Sequence, residues 1–74
     1  MTLIDCRVGD VFTVSQIRLE EAQRHRLQIL GILPGGRLQV LHKKRCGTMV
    51  VRAMGVRYAV GAGAARKIVG ERTP

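Results

Sequence analysis

Short runs of β-branched and aliphatic residues recur along this chain, separated by glycine turns, and one stretch breaks that rhythm. A brief start at Thr2 to Ile4 precedes the turn signal Gly9-Asp10. Val11 to Ile17 then reads as a strand, with Phe12, Val14 and the small Thr13 suggesting a buried face. Arg37 to His42 sets Leu38, Val40 and His42 against Arg37, Gln39 and Leu41, the period of two expected of a half-buried strand. Thr48 to Arg52 and Val56 to Val60 follow, with Met54-Gly55 reversing one into the other, and Ile68-Val69 closes as a short last strand.

The exception runs from about Glu20 to Leu30, which holds good helix formers and neither Gly nor Pro. At helical spacing Leu19, Ala22, Leu27, Ile29 and Leu30 share an arc of roughly 160°, the mark of an amphipathic helix. Glu20 and Glu21 open it and Arg24, His25 and Arg26 follow, in the order the helix dipole favours. Arg26 falls inside the apolar arc and is expected to snorkel its head to water. Gly31 supplies the left-handed residue that ends the helix, and Leu33-Pro34-Gly35-Gly36 fits a type II turn. Lys43-Lys44-Arg45-Cys46-Gly47 makes a cationic hairpin tip. Gly61 to Ala65 is too rich in glycine for a long helix and predicts a 3₁₀ turn or a loop. Thr73-Pro74 is expected to fray. Short strands with tight turns predict a partly closed barrel that hides its own edges.

Composition narrows what such a barrel can do. The 74 residues make one domain, residues 1–74, with no linker or repeat. A chain this short buries only about 60% of the surface its unfolded form exposes, which leaves little for an active-site cleft and its supporting shell. Asp5, Asp10, Glu20, Glu21 and Glu71 form no spaced acid–base pair, and no GxSxG, Walker A or HExxH pattern occurs. The expectation is a protein that is not an enzyme. Cys6 and Cys46 are too few and too far apart for a disulfide framework. The first residues lack a signal-peptide pattern, and no run approaches the ~18–20 apolar residues of a membrane span. These features point to a reduced, cytoplasmic protein with two free thiols, a Cys6–Cys46 bridge being the alternative that coordinates decide.

Thirteen basic against five acidic residues give a net charge of +8, which raises nucleic acid as a partner. Base stacking needs aromatic platforms, however, and only Phe12 and Tyr58 are present, Phe12 reading as core. A small basic nucleic-acid-binding β-barrel is the alternative reading. Among metal-ligating types, His42 and Cys46 stand four apart across the hairpin tip, and Glu21 and His25 four apart on one helix face. A site needs three or four converging ligands, so these are weak candidates for an adventitious divalent metal, and no cofactor is required. Leu33, Leu41, Val50 and Met54 lie near turns or on the less buried strand face, where a contiguous apolar patch would dock a partner or a second copy.

The order of these pieces resembles a known family. Arg26-Leu27-x-x-Leu30-Gly31-Ile32-x-Pro34-Gly35 is similar to the helix-to-strand signature of the ferrous iron transport protein A (FeoA) family. Leu3, Val8-Gly9-Asp10, Gly47, the run Met54-Gly55-Val56-Arg57-Tyr58-Ala59-Val60-Gly61-x-Gly63-x-Ala65 and Lys67-Ile68-Val69 continue the likeness in one register. The resemblance implies a mainly β, SH3-like barrel with one short α-helix at about residues 20–30. It also implies an accessory of bacterial ferrous iron uptake, acting on a membrane permease that carries a cytosolic GTP-binding domain. On that view the chain meets the membrane only peripherally, through its partner, with self-association a further expectation. Contacts are expected from the helix–turn segment and the hairpin tip: Leu27, Leu30, Leu33, Lys43, Lys44, Arg45, Met54 and Arg57. The family's fold also occurs in metal-dependent repressors, but this chain has no helix-turn-helix. The hairpin tip without proline and the Ala-rich turn after Val60 depart from the family pattern.

Overall fold

The computed structural model describes residues 1–73. Five strands make one antiparallel sheet: β1 (Val11–Ile17), β2 (Arg37–Lys43), β3 (Met49–Ala53), β4 (Val56–Val60) and β5 (Ile68–Thr73). Their order across the sheet is β4-β3-β2-β1-β5. Alternation places Phe12, Val14, Leu38, Val40, Met49, Val51, Ala53, Val60 and Ile68 on the inner face, where all are buried. Thr13 faces the other way and is half-buried, so the buried face of β1 holds Phe12 and Val14 without it. Leu3, Cys6, Ile17, Ile32 and Ala65 complete the core, and among the described residues no polar side chain is buried with them.

The brief start forms a 3₁₀ turn, Leu3–Asp5. The backbone N–H and hydroxyl of Thr2 both donate to the Asp5 carboxylate, at 3.0 and 3.2 Å, and this local bonding wins over extension. Thr2 still bridges Val69, and the Gly70 N–H donates to the Met1 carbonyl at 3.0 Å. β5 runs on to Thr73, longer than Ile68-Val69, and its outer side is covered at Val69 and Gly70. Thr73, expected to fray, pairs with Val11, and Pro74 lies outside the described residues. Gly70 sits where β5 crosses β1. A Cβ there would run into the Thr13 carbonyl and the Phe12 ring, so only glycine lets the two strands close.

The helix α1 (Glu21–Ile29) forms where expected but does not bury its apolar arc. No residue of α1 is buried; Leu27 is half-buried against the core with Leu19, Ala22 is exposed, and Ile29 is 72% exposed. The barrel closes without it, and the anchoring side chain is Ile32, just past the helix end. A Schellman arrangement brings it there: the Ile32 N–H donates to Leu27 O at 2.8 Å and the Gly31 N–H to Gln28 O at 3.0 Å. Gly31 takes φ +87°, as the arrangement demands. The type II turn also forms as expected, with Gly36 N–H bonded to Leu33 O at 2.9 Å and Gly35 at φ +87°.

Two further local expectations change. A bulge between Val40 and His42 swings His42 out to solvent, so the inward alternation of β2 ends at Val40. The segment Ala62–Ala65 is a single α-helical turn, α2, rather than 3₁₀ or loop. Its i→i−4 bonds run from Ala65 to Gly61 (2.9 Å) and from Arg66 to Ala62 (3.1 Å). Alanine is the best helix former, and burying Ala65 fixes the turn against the core.

Candidate interaction surface

The hairpin tip and the turn between β3 and β4 stand at opposite ends of β3, about 15 Å apart at the rise of an extended strand. The expected contact residues are thus divided. At the tip, Gly47 comes against Ala62 and Ile4, so this end adjoins α2 and the N-terminal turn. Lys44 and Arg45 are exposed there, but Lys43 is committed. Its ammonium donates to Ile4 O at 2.6 Å and to Cys6 O at 3.3 Å, capping the carbonyl end of the 3₁₀ turn.

At the other end, Met54 and Gly55 take φ +51° and +78°, a two-residue hairpin loop. The Met54 thioether lies over Gly31, where a Cβ would stand only 2.8 Å from the sulfur. The helix C-terminus and the β3–β4 turn are thereby brought together. Met54 is nevertheless 84% exposed and Val56 50% exposed, with Ile29 close by in sequence to the same junction. Leu27, Leu30 and Leu33 are half-buried here. Of the four residues considered as an apolar patch, Leu33, Leu41 and Val50 are also half-buried and only Met54 stands clear. Val56 was not among them; its position directly after a reversing turn on an outer strand is the signal that marks it.

Arg57 lies directly opposite Arg52 in the β3–β4 register, and both are exposed. Like charges facing each other across two strands repel. Among the described residues the one ion pair is Arg72 with Asp10, at 3.6 Å, so no carboxylate offsets this arginine pair. Asp10 also accepts from the Arg7 N–H at 2.8 Å, and Asp5 is held by Thr2. Asp5 and Asp10 are thus used in local turns.

The metal-ligating candidates fall in three places. His42 is exposed beyond the bulge, and Cys46 is exposed at the tip with its thiol 3.3 Å from the Thr48 hydroxyl. Hydrogen bonding by Thr48, first through its side chain and then its backbone, holds the Cys46 thiol below its ordinary pKa, with Lys44 adding a smaller push. Glu21 and His25 share the lining of an open groove of about 450 Å³ between α1, the end of β1 and Pro34. No group of three or more His, Cys, Asp or Glu side chains comes together among the described residues. Cys6 and Cys46 are both free; burial raises the pKa of the Cys6 thiol.

The family model of the FeoA domain matches residues 1–72. This chain belongs to the FeoA family. Among solved structures, an iron uptake regulatory protein, FeoA, is 29% identical with a TM-score of 0.89, the match covering 99% of this chain and 97% of that one. The solution structure of the FeoA protein from Chlorobium tepidum is 30% identical with a TM-score of 0.87, covering 95% of this chain and 68% of that one. FeoA from Stenotrophomonas maltophilia, solved with zinc and described as a prokaryotic SH3 domain protein, is 22% identical with a TM-score of 0.74. That match covers 96% of this chain and 89% of that one. No curated protein matches by sequence. The fold is therefore the SH3-like barrel of FeoA proteins, and the family is associated with ferrous iron transport. No helix among the described residues is long and apolar enough to cross a membrane.

Proposed function

We propose that this FeoA protein is a non-enzymatic, cytoplasmic accessory of bacterial ferrous iron uptake, which binds the cytosolic GTP-binding domain of the membrane permease and biases its conformation. The observation that carries this reading is the exposed, uncompensated surface at one end of the barrel. Arg52 and Arg57 have no acidic partner there, and Met54 and Val56 present apolar area beside them. Such groups cost stability or solubility in an isolated domain and are offset by a partner. A partner can be modulated only if two of its states bind this surface with different affinity.

Nucleic acid is the weaker reading. Phe12 is fully buried and Tyr58 is half-buried, which leaves no freely exposed ring to stack on a base. The zinc in the Stenotrophomonas structure is not carried over to this chain, where Glu21 and His25 line one groove and His42 and Cys46 lie apart from it. The test is GTP hydrolysis and iron flux by the reconstituted permease with and without this protein. A change in either, with measurable binding, is expected; no change in both, together with no binding, refutes the reading.

A further inference from the structure

β4 is the last strand of the sheet on its side, so one edge of its backbone has no strand partner. The opposite edge of the sheet is covered at Val69 and Gly70, where β5 is bridged by Thr2 and bonded to Met1. The direction of the bare groups on β4 follows from register. A two-residue loop makes Ala53 and Val56 the closing hydrogen-bonded pair, and bonded pairs then alternate along the ladder. Val56, Tyr58 and Val60 turn their backbone groups to β3, and Arg57 and Ala59 turn theirs outward. Both of those residues are exposed. Open edges of this kind invite another strand unless they are blunted by bulges, prolines or covering loops. β4 has no proline, and its pairing with β3 runs without a register shift.

The side chains flanking this edge select what can join it. On the outer face Arg57 stands against Arg52 with no carboxylate within ion-pair distance. On the inner face Val56 is half exposed and Tyr58 is partly buried, with Met54 prominent at the turn. An added strand would alternate its side chains between these two faces. Residues beside Arg57 meet its guanidinium directly, with the charge of Arg52 one strand further in, and residues between them meet Val56 and Tyr58. A second copy of this chain is a poor occupant, because edge-to-edge pairing would bring two more arginines into the same row of a +8 molecule.

We infer that the free edge of β4 is a docking site for an extended peptide segment in which acidic and apolar residues alternate, added as a sixth strand beside Arg57. The inference goes beyond the permease reading and does not depend on it: a permease assay can fail while strand addition holds, and the reverse.

The test is titration of the ¹⁵N-labelled full chain with an acetylated nine-residue peptide of alternating valine and glutamate. In the expected result Arg57 and Ala59 amides shift and gain exchange protection. Binding weakens with added salt, and the valine–glutamine analogue binds less well. Methylating one alternate set of peptide amides abolishes binding and methylating the other set leaves it. Arg52→Gln and Arg57→Gln each weaken binding roughly two- to fivefold. Ala59→Pro removes an outward N–H at an edge that tolerates proline, and should block binding while spectral dispersion shows the barrel intact. The inference is overturned if the glutamine analogue binds equally, if both methylated sets bind, or if the shifts centre on Lys44 and Arg45. It is equally overturned if β4 becomes protected through a concentration-dependent dimer.

Discussion

The two outer strands of this barrel are treated in opposite ways. β5 crosses β1 so closely that Gly70 has no room for a side chain, and residues 1 and 2 lie along its outer edge. β4 pairs with β3 alone and carries an exposed arginine facing another arginine. One side pairs part of its outer backbone and seals the core around Phe12. The other leaves backbone, charge and apolar area unmatched. Both sides contribute side chains to the core, and what is left unresolved on the second is available to a partner.

The contrast breaks most severely at Gly70. Gly70→Ala forces a methyl group against the Thr13 carbonyl and the Phe12 ring, and should cost about 3 kcal/mol, read as a lowered urea midpoint. No alanine substitution at the exposed β4 positions Val56 and Arg57 should approach that cost.

A milder loss comes through Asp5, whose carboxyl is held below its usual range chiefly by the backbone N–H of Thr2. Because the folded pKa is depressed, its contribution is present above the unfolded value of about 3.9 and is lost as pH falls through the lowered folded value. Acid titration of stability should show a decline in that window, and Asp5→Asn should flatten it. A wild-type profile unchanged by that substitution removes Asp5 from the closure of the N-terminal turn.

The smallest effect has the opposite sign. Arg57→Thr relieves the repulsion with Arg52 and should stabilise the chain by roughly 0.2–1 kcal/mol at low ionic strength. The gain should shrink in 1 M salt, where the Debye length is about 3 Å. A gain indifferent to salt reports strand propensity and dissolves the electrostatic half of the comparison.

Strands were legible because β-branched runs and glycine turns act locally: Gly31, Pro34-Gly35 and Met54-Gly55 reverse the chain where their residue types require it. The fate of the helix was not. Its apolar arc satisfies the periodicity rule, yet whether Ala22 and Ile29 find a surface depends on how completely five strands close without them. His42 shows the same limit, since one inserted residue in β2 inverts the face that alternation assigns. At the candidate surface, Arg57 and Met54 were readable as exposed residues near a turn. Lys43 looked like its neighbours in a charge run, and only the fold reveals that it serves carbonyls almost forty positions earlier. The pairing of Arg52 with Arg57 needed the register, which the hairpin loop sets.

The excursion from Arg18 to Leu33 is pinned at its far end by one isoleucine and a glycine, while the helix between carries no buried side chain. Its outward residues can therefore drift from generation to generation with little penalty to the barrel beneath. Lineages that inherit this scaffold are free to rewrite the outer face of the helix as their partners change, and that face, turned away from Leu27, is best suited to tell one descendant from another.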